Sequence, residues 1–221
     1  MNRKPLHFHE LVTLVWYIID AITHLTIELA YVVIALGDTA EKTDNFFGWL
    51  WREYGRADAR WAVRDANVIS LEILTVGIGI LCLLQVWGVW YRSSWRHPLQ
   101  IIICTAELYG GWMTFAPEWV DGSPNLEGQD PILFWIYLVF MNGLWVVVPL
   151  ILLWDSFTRM THISERSAGI LEQDLNVSDA KNKIPGAPSF MVFYIMAGFI
   201  VVYDILVPAV LFTAPGVEVR R

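Results

Sequence analysis

Charge is scarce in this sequence and positive charge scarcer still: 17% of its 221 residues are charged, and 15 Lys and Arg stand against 22 Asp and Glu, a net of -7. No run of Lys and Arg forms the stripe that neutralising phosphates requires, which sets nucleic acid aside as a partner. Cysteine is nearly absent too. The two present, Cys82 and Cys104, fall inside apolar runs and read as small buried hydrophobes rather than a disulfide or metal pair. Also missing are a glycine-rich phosphate loop after a strand, a Gly-x-Ser-x-Gly elbow and a dinucleotide fingerprint. Nothing therefore points to nucleotide chemistry or to a serine hydrolase.

What fills the chain instead is apolar: 56% of it is hydrophobic, with 12 Trp and a mean hydropathy of +0.47, the makeup of a membrane protein. Crossing about 30 Å of hydrocarbon takes roughly 20 helical residues. Four runs are long enough, 11–36, 69–91, 132–154 and 190–213. A fifth, 99–117, is shorter and holds Thr105, Glu107, Gly110 and Gly111, and it spans if its polar groups face other helices. The expectation is an all-α integral membrane bundle of about five transmembrane helices, one domain over 1–221. The first run is too long for a signal-peptide core and reads as an anchor. The short basic loop at 92–98 predicts a cytosolic location for itself, for the N-terminus and for the polar loop at 155–189. Segment 37–68, with Trp49, Trp51, Tyr54 and Trp61, suits the membrane interface.

Against that background, several ionisable groups stand where lipid disfavours them. Asp20, His24 and Glu28 recur every four residues, drifting about 40° per step around a helix, so they share one face. A charge at the bilayer centre costs from a few to more than about ten kcal/mol, which turns such a stripe toward a protein interior or a wet cavity. A hydrogen-bonded stripe that only glues helices is the rival reading; three groups on one face favour function. The run at 69–91 adds Glu72 and Thr75, that at 99–117 Glu107, Tyr109 and Trp112, and that at 132–154 Asn142 and Trp145. One pocket is predicted, with Asp20, Thr75, Glu107, Tyr109 and Trp112 as substrate contacts. A carboxyl group in low dielectric favours its neutral form, so Glu28 or Glu72 can hold a proton and deliver it as a general acid. His24 can accept or relay one. Trp145 offers a π face that attracts a cation without trapping it. Donor, acceptor and aromatic wall suit a reaction through a carbocation. A metal held by His24, Glu28, Glu72 and Glu107 is not expected, because one histidine among carboxylates is an unspecific ligand set.

The blocks His24-Leu-Thr-Ile-Glu28, Trp51-Arg-Glu-Tyr-Gly-Arg-Ala-Asp58-Ala-Arg60, Asp65 with Glu72 and Thr75, Glu107-Leu-Tyr109-Gly110 and Phe134-Trp-Ile-Tyr-Leu-Val-Phe-Met-Asn142-Gly-Leu-Trp145 resemble the emopamil-binding protein family. These are the sterol delta-8 to delta-7 isomerases of the EXPERA membrane superfamily. The likeness runs in order over a core of about 11–163, and the Asn-x-x-Trp block after an aromatic run is its most specific part. It implies an isomerase of the endoplasmic reticulum that needs no cofactor and works by protonating a sterol ring double bond. By position it implies His24, Glu28 and Glu72 as acid-base residues, Thr75 and Asn142 as polar supports and Trp145 as the aromatic that steadies the cation. It also implies binding of cationic amphiphilic amines that mimic the cation. A homodimer in the lipid bilayer is the assembly to look for.

The chain departs from that pattern. The family begins with a membrane helix ahead of the His-x-x-x-Glu helix, whereas here a helix at 190–213, containing Asp204, follows the core and is expected to take the vacant place. Asp20 stands where the family is usually not acidic, and Gly111 where an acidic residue is common. These changes leave open an isomerase or cyclase of specialised metabolism, acting on a non-sterol terpenoid or an epoxide. A sterol- or lipid-binding protein without catalysis is a third reading, disfavoured by the presence of both Asn142 and Trp145.

Overall fold

The computed structural model describes residues 5–174, with side chains to residue 167, and every long element in it is a helix. They are α1 (Phe8–Gly37), α2 (Phe46–Tyr54), α3 (Ala66–Trp90), α4 (Arg96–Val120) and α5, which runs from a Leu133–Met141 segment into Asn142–Asp174. A 3-10 turn at Ala59–Trp61 lies between α2 and α3. Short polar side chains set the starts. Asn45 Oδ1 accepts the N–H of Gly48 at 2.8 Å, Asp65 Oδ1 that of Val68 at 2.9 Å, and Asp130 Oδ1 that of Ile132 at 2.8 Å. Each satisfies a donor that a helix N-terminus leaves orphaned.

α1, α3 and α5 are long and apolar enough to cross a membrane, and 33%, 28% and 22% of their apolar windows are buried. Most of that apolar surface, Ile22, Val33, Ile80 and Ile151 among it, therefore faces outward, which lipid tolerates and water penalises. The protein is an all-helical membrane bundle. At 25 residues, or about 37 Å, α4 is also long enough to span, with Gln100 and Glu107 turned inward. It outruns the expected 99–117 at both ends and carries Pro117 in its last turn. α5 likewise continues past Trp154 to Asp174, so the first part of the expected 155–189 loop is helix. The apolar run marked the hydrocarbon crossing rather than the helix, which goes on with an Asp155–Arg159 ion pair at 2.8 Å. The expected helix at 190–213 lies outside the described residues.

α4 packs on α3 and α5, and α1 on α3. At the end nearest the α1 N-terminus the bundle is closed, with Tyr17, Ile78, Cys82, Ile103 and Cys104 in one core; both cysteines are free and buried. Glu10 clamps this end by accepting from Arg92 at 2.7 Å and Arg96 at 3.1 Å across the α3–α4 turn. The other end is roofed by α2 and its flanking segments. Trp51 and Trp61 stack at 4.7 Å with Tyr31 against both. Below them Asp58 accepts from the buried Arg60 side chain at 2.9 and 2.6 Å, and Glu118 lies 3.5 Å from the same guanidinium. Burial works against the Arg60 charge, but these two carboxylates more than offset it, so its pKa lies above the ordinary value. Ala59 N–H donates to Asn125 and Glu127 N–H to Ala57, stitching the roof to the α4–α5 connection.

Two substitutions test this frame. Asp58→Asn leaves Arg60 buried beside Glu118 alone and is expected to cost about 3–5 kcal/mol, read as a lowered Tm of the purified protein. At Gly79 a Cβ would meet His24 Cβ at 2.8 Å and Leu25 Cγ at 2.9 Å, so α3 and α1 touch there almost backbone to backbone. Gly79→Ala is expected to cost about 1–3 kcal/mol and to displace His24. A Gly79→Ala protein of unchanged Tm contradicts that contact.

Candidate active site

Between the closed end and the roof the long helices part around a cavity of about 780 Å³, within the roughly 300–1,000 Å³ usual for ligand pockets. Both departures from α geometry border it: α1 is π-helical over Thr23–Glu28, and α5 over Leu133–Met141. Such segments recur at functional sites. The second is held by Asn142, whose Nδ2 lies 3.0 Å from Tyr137 O, 2.9 Å from Leu138 O and 2.9 Å from Tyr54 Oη. Asn142 thus ties the end of the π segment to the roof helix.

A line of acid-base groups runs along one wall. Asp20, His24, Glu72 and Glu107 are 0%, 1%, 7% and 6% exposed. His24 Nδ1 meets Glu28 Oε2 at 2.5 Å, and its Nε2 lies 3.0 Å from Asp20 Oδ1. That same Asp20 oxygen accepts the indole N–H of Trp145 at 2.8 Å, while Oδ2 accepts from Cys82 at 3.2 Å. One buried carboxylate therefore orients both the imidazole and the tryptophan, whose ring centroids are 6.3 Å apart. On α3, which packs against α1, Glu72 Oε2 is buried without a hydrogen-bond partner.

The structure brings His24, Glu28, Glu72, Thr75, Glu107, Asn142 and Trp145 to the cavity wall. Three expected substrate contacts lie elsewhere. Asp20 does not line the cavity; it is buried behind His24 and Trp145. Tyr109 and Trp112 are not lining residues either. The lining positions of α4 include Glu107, Gly110, Gly111 and Thr114, the i, i+3, i+4, i+7 face of one helix. Tyr109, about 200° around from Glu107, is 56% exposed, and Trp112 packs edge-on to Trp119 at 5.9 Å. Spacing along one helix does not reveal the cross-helix partners Tyr54, Gly79 and Trp16, whose ring lies 5.8 Å from that of Trp145; only Tyr54 carries a signal, inside the block that begins at Trp51.

Among the described residues no cysteine or lysine lines the cavity. The hydroxyls of Thr23, Thr75 and Thr114 donate to carbonyls of their own helices at 3.1, 2.8 and 2.9 Å. A cation formed here meets aromatic faces and carboxylates, with few free nucleophiles. Asp20, His24 and Glu107 present donor atoms within 4.8 Å of one another, and among these groups Asp20 Oδ1 accepts the Trp145 N–H. Trp49, Leu74, Phe140 and Val147 line the cavity and are also exposed on the outer surface of the bundle.

Residues 46–156 match the family described as EXPERA, the expanded EBP superfamily. This span holds Glu72, Glu107, Asn142 and Trp145; Asp20, His24 and Glu28 precede it. The chain is 35% identical over 156 residues to a 3-beta-hydroxysteroid-Delta(8),Delta(7)-isomerase of Cavia porcellus, covering 69% of this chain and 66% of that one. It is 32% identical over 161 residues to the protein of that name in Mus musculus, covering 71% and 68%. An isomeliandiol synthase of Melia azedarach is 26% identical over 159 residues, covering 70% and 73%. The chain thus spans about two thirds of the length of the mammalian relatives it matches. With half its length matched and these catalysts among its relatives, the chain belongs to the EXPERA family.

Proposed function

We propose that this protein is a membrane-embedded isomerase that shifts a ring double bond in a 3β-hydroxysteroid or sterol-like isoprenoid. The observation that carries the reading is the cavity itself, in which partnerless Glu72 and the Glu28–His24 pair face an oriented Trp145 in an apolar wall. A carboxylic O–H of the Glu72/Glu28 pair breaks and its proton goes to one alkene carbon. The π electrons form the new C–H bond, and the cation left on the neighbouring tertiary carbon lies against the indole face, where the attraction is of order 1–2 kcal/mol. A proton then leaves the next carbon for the carboxylate or imidazole, and its C–H electron pair becomes the new double bond. Atoms and charge balance with no cofactor in the step. Asn142 and Thr75 act as polar supports of the wall.

A second reading has the same wall acting on a non-sterol terpenoid. The isomeliandiol synthase of Melia azedarach and a protoglabretal synthase of Citrus sinensis favour it, the latter 26% identical over 152 residues. In either case residence in the endoplasmic reticulum suits a lipid substrate, and amphiphilic amines are expected to bind as mimics of the cation.

Expression in a yeast strain lacking its sterol isomerase separates the readings. Restored sterols of normal double-bond position support the first, and failure by a well-expressed protein turns to the second. Glu72→Gln and Trp145→Ala are each expected to lower turnover by at least about 100-fold while amine binding persists. Full activity in both variants sinks the carbocation mechanism.

A further inference from the structure

Glu107 has no task in that reaction, yet its setting is that of a working group. It is 6% exposed, it lines the cavity, and no N–H or hydroxyl donor reaches either carboxyl oxygen, against which the carboxyl group of Asp20 lies. A buried polar group left unpaired costs stability and is rare unless something else uses it. The neighbouring wall is bare: Gly110 and Gly111 follow on the same face, and a Cβ at either would meet nothing within 4 Å. A substrate can therefore lie directly against this carboxyl group. Behind it the group is connected, because a Glu107 oxygen, an Asp20 oxygen and a His24 ring nitrogen fall within 4.8 Å of one another, with Nε2 3.0 Å from Asp20 Oδ1. His24 then reaches Glu28 through its other nitrogen at 2.5 Å.

Resting on the isomerase reading above, we infer that Glu107 is a second acid-base residue of the cavity, which takes up the proton lost by the substrate and returns it to the donor side through Asp20 and His24. Every proton in the cycle is accounted for. Glu72 gives a proton to the alkene, and the C–H bond of the adjacent carbon breaks, its electron pair forming the new double bond and its proton forming O–H on Glu107. That proton passes by way of Asp20 to His24 Nε2 as Nδ1 releases its own to Glu28, Glu28 restores Glu72, and water admitted on product release takes the Nε2 proton as it returns one to Nδ1, which resets the imidazole. Each hop makes one bond to hydrogen and breaks one, and the imidazole is well suited to it because its two nitrogens face carboxylates on opposite sides. Asp20 is here a positioning residue that joins Glu107 to the ring, and Gly110 and Gly111 keep the approach to Glu107 open.

The test uses the full-length protein in lipid nanodiscs with a Δ8 sterol, the substrate class of the first reading, and, if that is inert, a triterpenoid olefin. Glu107→Gln keeps the shape and removes the acid; it is expected to lower kcat about 100-fold. Glu107→Asp, which keeps the acid, is expected to lose less than the Gln variant, a rescue that a packing role does not produce. Asp20→Asn is expected to lower kcat as well, and the double variant to lose less than the product of the two single losses, as for groups acting in one chain. Gel filtration and Tm identify a variant that has not folded; in that event the pH profile of kcat in Glu107→Asp decides, a profile identical to the parent's rejecting the role. Wild-type kcat in a folded Glu107→Gln protein, or fully independent effects of the two residues, overturns the inference while leaving the isomerase reading intact. A wild-type protein inert on both substrate classes rejects that reading instead.

Discussion

An imidazole held between two carboxylates at membrane depth sets the terms for the rest of the molecule. Hydrocarbon offers no solvation, so His24, Asp20 and Glu28 persist only because each satisfies another. The consequences spread outward from the contact. α1 must turn that stripe inward, and Gly79 lets α3 approach His24 closely enough to enclose it. Asp20 goes further by fixing Trp145 on α5 with the same oxygen that faces the ring, so the helix that carries the aromatic wall is docked by the group that orients the base.

The division of the bundle into a packed half and a hollow half follows from side-chain volume. Where Tyr17, Ile78 and Ile103 meet, the helices interlock. Where α4 presents Gly110 and Gly111, no side chain fills the space. The hollow half does not collapse because its far end is spanned by a rigid roof of stacked indoles over a buried Arg60–Asp58 pair. Asn142 connects roof and wall through Tyr54.

Much of this could be read from residue order. Apolar runs marked the crossings because lipid imposes a length on them, and four-residue spacing put Asp20, His24 and Glu28 on one face because helical geometry is local. The reading faltered where the answer was not local. Asp20 shares a face with His24 but sits deeper, since the helices packed around it decide which end of a polar stripe is covered. Tyr109 stands two residues from Glu107 in the sequence, which along a helix is nearly the opposite side. Neither π segment left a trace in composition, because the change in register is fixed by what the wall must accommodate. The extent of α5 beyond Trp154 was hidden for the opposite reason: hydropathy reports the bilayer, and the helix continues outside it.

Trp49, Leu74, Phe140 and Val147 belong at once to the cavity lining and to the outer surface, which makes that wall a lateral window onto the acyl chains. With the roof stitched to the α4–α5 connection on one side and Glu10 clamping the other end, a water-insoluble molecule meets the site by diffusing in two dimensions within the leaflet. The concentration that governs occupancy is then a mole fraction in the bilayer. Diluting the substrate with other lipid slows such a protein even when the total amount of substrate in the vessel is unchanged.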